Sequence, residues 1–298
     1  GFCTEKGRIL FSISEPNRHL YIEMNEADDA DRYRILTVGD GDLSLSLALI
    51  RAFGSNICLT ASTLLTSSEL LTETYGDKAR DNVCELFRLG ITIKYGIDAT
   101  KLHEVLLFEK VFDIVLFHHP HLGDYNERDV NVHMQRHHVL MAHYFFSAAQ
   151  IARRIHVCLR ETQFSAWQIS PIAEMMQLNS RDPIPVSQPI RLVFHEDKHI
   201  WDMPLPPKDV SVPRRALWSR TSSRHWLIRY GYTPQKTDPR LVDEYADMSG
   251  SYHYCFDSTG APLIDLDYET GRMHHLCPIC RTEFDSREEL ASHLDAPA

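Results

Sequence analysis

The feature that most constrains this chain is an alternation of apolar strands and helical stretches that starts at Tyr33. Tyr33–Val38 is a strand-like run ending in Gly39-Asp40-Gly41-Asp42, and Leu43–Phe53 follows with Leu43, Leu47 and Ile50 at helical spacing. Ile57–Ala61 reads as a second strand, Ser67–Leu89 as one helix through Leu70, Leu71, Tyr75 and Leu86, and Ile91–Tyr95 as a third strand. Phe112–Phe117 is a continuous apolar run suited to a buried parallel strand. A long helix over Val130–Ile151, a strand over Ile155–Leu159 and a helical piece over Ile169–Gln177 continue the series. Such an order predicts an α/β fold with a mostly parallel sheet and helices on both faces.

Around this core the reading places an N-terminal extension at 1–31, the main domain at 32–240, an acidic linker at 241–272 and a terminal module at 273–298. The extension holds a short alternating segment from Ile9 to Ile13 and ends in a solvated acidic run from Glu26 to Asp31. Past Arg181, seven prolines from Pro183 to Pro213 break the chain into short pieces, and Trp226–Tyr230 reads as a late strand. Gly250 to Thr270 reads as a polar, poorly patterned connector.

The net charge of −10 disfavours a chain-wide nucleic-acid surface, but the charge is uneven. Arg181–Arg240 carries eleven Lys/Arg against six Asp/Glu, whereas Leu241 onward carries twelve acids against Arg272, Arg281 and Arg287. Within the basic stretch Arg214, Arg215, Arg220, Arg224 and Arg229 interleave with Trp218, Trp226, Tyr230 and Tyr232. Arginines can hold phosphates while rings stack on bases. The competing reading sets the rings in the core and the arginines in water. No apolar run is long enough to span a bilayer, so no membrane partner is expected. Seven scattered cysteines argue against a disulfide framework and for a reducing compartment.

A strand entering Gly39-Asp40-Gly41-Asp42 with a helix opening at Ser44 is a ligand-binding corner, because glycine admits close approach and a helix N-terminus is electropositive. Two aspartates disfavour a phosphate and suit a cationic centre, such as the sulfonium and amino group of S-adenosylmethionine. A turn with a capping aspartate is the plain alternative. Asp98-Ala99, after the third strand, offers a carboxylate to an adenine amino group on the same sheet edge. Histidines at 118, 119, 121, 133, 137, 138 and 143 invite a metal reading, but only Asp124 is a nearby carboxylate. His137 and His138 are expected on an exposed helix face.

Several stretches resemble the Rossmann-like eukaryotic family of large-subunit ribosomal RNA uridine-N3 methyltransferases. They are Val38-Gly-Asp-Gly-Asp-Leu-Ser-Leu-Ser46, Thr60-Ala-Ser-Thr63 with Glu69-Leu70-Leu71, and Gly96-Ile-Asp-Ala-Thr-Lys-Leu102. Phe112 to Gly123, Phe145 to Ala149, Trp167 with Ile169, and Tyr230-Gly-Tyr232 through Thr237 are similar to it too. The resemblance implies a Rossmann-like methyltransferase fold, an S-adenosylmethionine cofactor, a ribosomal RNA substrate and work on a pre-ribosomal particle. It places Gly39, Asp40, Gly41, Asp42, Ser44, Asp98 and Ala99 at the cofactor, and His118 and His121 at the turn facing the target base. Two departures fall at chemistry. Leu64 and Leu65 stand where the family carries an aromatic–acid pair for the cofactor's ribose, and His118 replaces an asparagine. A catalytically silent assembly factor is therefore the second reading. The family points to the nucleolus; the absent initiator methionine also suits an imported, processed mitochondrial protein.

Near the C-terminus Cys277, Cys280, Phe284, Leu290 and His293 have the spacing of most of a Cys2His2 zinc finger. A Zn2+ ion is expected there, its fourth ligand lying past residue 298 or at His274 or His275, unless the site stays incomplete. The finger helix is acidic, so this module and the acidic tail are expected to contact protein rather than DNA.

Overall fold

The structure is a computed structural model and describes residues 32–105, 112–122, 129–188, 225–234 and 250–258, with short pieces at 4–5, 8–9, 275–276, 283–284, 289 and 292. The chain divides into two units, Gly1–Arg32 and Tyr33–Ala298. In the first, Thr4–Glu5 pairs antiparallel with Arg8–Ile9. The second unit holds the α/β sheet.

Five strands form the parallel part of its sheet: β1 (Tyr33–Val38), β2 (Ile57–Ser62), β3 (Thr92–Lys94), β4 (Phe112–His118) and β5 (Ala152–Arg160). Three more, β6 (Asn179–Ser180), β7 (Ile184–Pro185) and β8 (Ser251–Asp257), complete it. The spatial order is β3-β2-β1-β4-β5-β8-β6, with β7 also pairing β8. β8 runs antiparallel to β5, and β6 and β7 run antiparallel to β8. The stretch read as a connector after Gly250 thus contributes a sheet strand. Its polar alternation concealed it, because its even-numbered side chains Tyr254 and Phe256 face one core while His253 and Cys255 face the other side.

The two faces are covered differently. Leu36, Val38, Val115, Phe117, Ile155, Val157 and Leu159 pack against α5 (Val130–Ile151) through Met141, Tyr144, Phe145 and Ala148. Ile35, Ile114 and Leu116 pack against α1 (Ser44–Phe53) and against Trp226, Leu227 and Tyr230. Trp226–Tyr230 is a 3-10 helix, not the expected strand, opened by His225 and closed by Gly231 at φ 100°. The expected single helix Ser67–Leu89 is two, α2 (Ser68–Tyr75) and α3 (Asp77–Arg88), split at Gly76, whose φ of 79° leaves the helical region. The other α-helices among the described residues are α4 (Leu102–Val105), α6 (Glu161–Ala166) and α7 (Ile169–Met175). Among the described residues no helix is long and apolar enough to cross a membrane.

Candidate functional site

Strand order reverses between β1 and β4, and the crevice beyond the carboxyl ends of such a pair is where open α/β sheets bind ligands. Both loops leaving this point are strained. Leu43, at the N-cap of α1, has φ 59°, and His119, following β4, has φ 46°. Left-handed conformations are costly for side-chain-bearing residues and gather at functional sites. Gly39 also has φ 63°, and a Cβ there would stand 2.3 Å from the Phe117 ring, so β1 and β4 can meet this closely only through glycine.

The glycine loop is tied down by its own polar groups. Asp40 is buried, and its carboxylate accepts from Ser46 N–H (2.7 Å), Ser46 Oγ–H (2.6 Å) and, more weakly, Leu45 N–H (3.4 Å). Burial, reinforced by the neighbouring Asp42, pushes its pKa up to about 7. Asp40 therefore fastens α1 to the loop and does not face the crevice as a free anion. Asp42 accepts from Ser44 N–H (3.0 Å), and its carbonyl accepts from Asn82 (2.8 Å). The Ser44 hydroxyl accepts from Thr233 N–H (3.2 Å), which joins the loop to residues 225–234. The Tyr75 ring lies against Gly41. On the neighbouring edge Gly96 N–H donates to Leu65 O (2.8 Å) and Ile97 N–H to Thr63 O (3.0 Å), stitching the ends of β2 and β3 together. Asp98, half-buried, accepts from the backbone and hydroxyl of Thr100 (2.8 and 2.7 Å), and Ala99 is buried.

The loop after β4 departs furthest from expectation. His118 is only 7% exposed, enclosed by the rings of His253 (5.1 Å), His225 (5.2 Å) and Tyr232 (5.9 Å). Burial and the neighbouring His253 and His225 hold its pKa well below the ordinary imidazole range. His121 instead lies beside His133 and His137, with ring separations of 5.4 and 4.7 Å. His137 and His138 are buried, not exposed, because α5 is covered by the turn at Trp167. The His137 ring stacks on Trp167 at 4.4 Å, and His138 bonds Trp167 O at 2.8 Å.

His137 has a defined neutral form. Nδ1–H donates to His133 O (2.8 Å) and Nε2 accepts from Leu122 N–H (3.3 Å), so neither nitrogen is free for a metal. Burial lowers its pKa to about 4. A depressed histidine stabilises the fold above the unfolded value near 6.5, and that stability is lost as pH falls from there towards 4. Between pH 7 and 5 the loss from this residue is about 2 kcal/mol. Denaturant titrations at both pH values are expected to show His137→Gln losing about 2 kcal/mol less than the parent on acidification; an equal loss would refute this account.

Of the expected RNA-binding arginines, Arg229 is exposed on the 3-10 helix, while Arg214, Arg215, Arg220 and Arg224 lie outside the described residues. Trp226, Tyr230 and Tyr232 are buried in the core and are not available to stack on bases. Cys277, Cys280 and His293 also lie outside the described residues; the antiparallel pair His275–Leu276 and Glu283–Phe284 flanks the two cysteines in sequence.

Missed in the sequence were Cys158, His225 and His253. The available signal was a repeated tripeptide, His156-Val157-Cys158 and His253-Tyr254-Cys255. Antiparallel pairing sets His253 opposite Cys158 and Cys255 opposite His156.

A sheet of this order with a glycine loop at the switch point defines a Rossmann-like methyltransferase fold. The family whose model matches residues 36–188 is the BMT5-like family, described as rRNA (uridine-N3-)-methyltransferase BTM5-like, and the chain belongs to it. Heavy metal-associated isoprenylated plant protein 41 of Arabidopsis thaliana is 34% identical over 48% of this chain and 28% of its own length. Human ferredoxin-fold anticodon-binding domain-containing protein 1 is 30% identical over 52% of this chain and 26% of its own. An uncharacterised Arabidopsis thaliana protein is 31% identical over 48% of this chain and 70% of its own. The matched stretch spans about a quarter of the first two relatives.

Proposed function

We propose that the chain is an S-adenosylmethionine-binding, ribosomal RNA methyltransferase-like protein acting in ribosome biogenesis. The observation that carries this is the corner itself: the glycine loop after β1 and the Gly96–Asp98 turn after β3 share the carboxyl edge of the sheet, beside the strained Leu43 and His119. In this reading the glycine loop receives the cofactor, Asp42 faces its amino-acid end and Asp98 its adenine. Exposed Arg229, with the arginines upstream of it, holds RNA phosphate. The terminal Cys277, Cys280 and His293 hold Zn2+ and, with the acidic tail, meet a protein of the particle. The second reading, an assembly factor without catalysis, is favoured by the burial of His118 and by Leu65. Neither supplies a polar group to the cofactor or the base.

Calorimetric titration with S-adenosylmethionine tests the first reading. Affinity in the micromolar range is expected, weakened about tenfold or more in Asp98→Ala, with a melting curve to confirm that the variant folds. No heat at millimolar cofactor would remove the cofactor from the proposal and leave the assembly reading.

A further inference from the structure

Register sets three ligand-type side chains in a row. His118 on β4 lies opposite Cys158 on β5, and Cys158 lies opposite His253 on β8. Alternation turns all three to the same face of the sheet, the one not covered by α5. His225 enters the row from the side. Trp226 N–H donates to Val186 O (2.8 Å) and Val186 N–H to Ser251 O (3.2 Å), which anchors the start of the 3-10 helix beside β8.

One potential ligand atom from each of His118, Cys158, His225 and His253 lies within 4.8 Å of all the others, and all four residues are buried. Tetrahedral zinc, with bonds of about 2.0–2.3 Å, needs its ligand atoms roughly 3.3–3.8 Å apart, so a contraction of about 1 Å closes the set. The polar atoms are also unaccounted for. Among the described residues, both ring nitrogens of His118 and of His253, and Nε2 of His225, are buried without a hydrogen-bond partner. Buried polar groups without partners are costly and demand an explanation.

We infer that these four side chains form a closed, structural zinc site that fastens β4, β5, β8 and residues 225–234 to one another. A metal takes a lone pair from each ring and so satisfies three of the five orphaned nitrogens. The ion displaces the Cys158 thiol proton, which leaves to buffer, and His119 Nε2, 3.2 Å from Sγ, donates its N–H to the resulting thiolate. His225 is the least committed ligand. Coordination through Nε2 moves its remaining proton to Nδ1 and gives up the 3.2 Å bond from Leu227 N–H. Four protein ligands leave no open position for water, so the ion supplies cohesion rather than hydrolysis. The inference is independent of cofactor binding.

The test uses the full chain carrying Cys277→Ser and Cys280→Ser, so that the terminal cysteines cannot contribute. Metal analysis of this purified parent is expected to give about one zinc per chain. Its cobalt form is expected to show intense visible bands of tetrahedral Co2+ and a near-ultraviolet thiolate-to-cobalt band. Adding Cys158→Ser should abolish the thiolate band while keeping visible absorption, a change that a packing role for Cys158 does not produce. Adding His253→Ala should reduce bound metal at least tenfold. A folded parent that neither retains zinc nor develops the cobalt spectrum overturns the inference, whatever becomes of the variants. So does a thiolate band that persists in Cys158→Ser.

Discussion

A chain carrying Trp226→Ala is expected to lose about 3–5 kcal/mol of stability, a fall in melting temperature of roughly 10 °C. Trp226 is among the largest fully enclosed side chains, packed edge-on against Phe53 of α1 (5.7 Å) and Tyr230 (6.0 Å). Its indole N–H has no partner among the described residues, so truncation strands no acceptor there and the cost is that of the cavity. The loss reaches beyond packing, because this ring seats residues 225–234 between α1 and the sheet. Thr233 then reaches Ser44, and the Tyr230 carbonyl accepts from Arg51 (3.1 Å), which also forks onto Glu85 of α3 at 2.7 Å. Denaturant unfolding followed by fluorescence of the remaining tryptophans measures it. A loss under about 1 kcal/mol would mean that the 3-10 helix rests on the domain without holding it together.

Exchanging Leu65 for aspartate is expected to tighten S-adenosylmethionine binding by roughly ten- to hundredfold. Leu65 follows β2, and its carbonyl is held by Gly96 N–H, so the backbone at this position is fixed against the β3 turn. A carboxylate there can accept from both ribose hydroxyls, and each hydrogen bond to a charged group contributes about 1.5–3 kcal/mol. The leucine is only partly buried, at the margin of the cluster formed by Leu43, Leu47, Ala61 and Leu71, so the fold tolerates the exchange. Calorimetry of the parent and of Leu65→Asp decides the matter. Unchanged affinity in a folded variant would show that the ribose does not lie at this edge, and with it the cofactor pose fails.

The sheet up to β5 was legible because β1 and β4 are nearly continuous apolar runs and each strand is followed by a helix or a glycine turn. The glycine loop was legible as a corner, but not the direction of its carboxylates; that Asp40 bonds Ser46 depends on where α1 begins. β8 was hidden by composition. A strand that buries His253 and Cys255 on one face lacks the apolar signature that marks its neighbours. Trp226-Leu-Ile-Arg-Tyr230 has β-forming residues, yet His225 accepts from Leu227 N–H at 3.2 Å and so starts a turn. His137 and His138 were misread because polarity along α5 suggested an outer face. Tertiary cover from Trp167, about thirty residues later, cannot be seen in the helix's own spacing.

The pairing of β5 with β8 has a kinetic consequence. Arg160 and Ser251 are partners in register although some ninety residues separate them, so this edge of the sheet closes by a long-range encounter. Chain closure over such a distance is entropically slow, and it comes after the local β–α units can assemble. During synthesis β1 to β5 emerge first, and until β8 arrives the outer backbone edge of β5 stands unpaired and His156 and Cys158 lack their cross-strand partners. The two reciprocal His–Cys pairings are then a register check made late: a slip of one residue turns both His253 and Cys255 to the opposite face and breaks both at once.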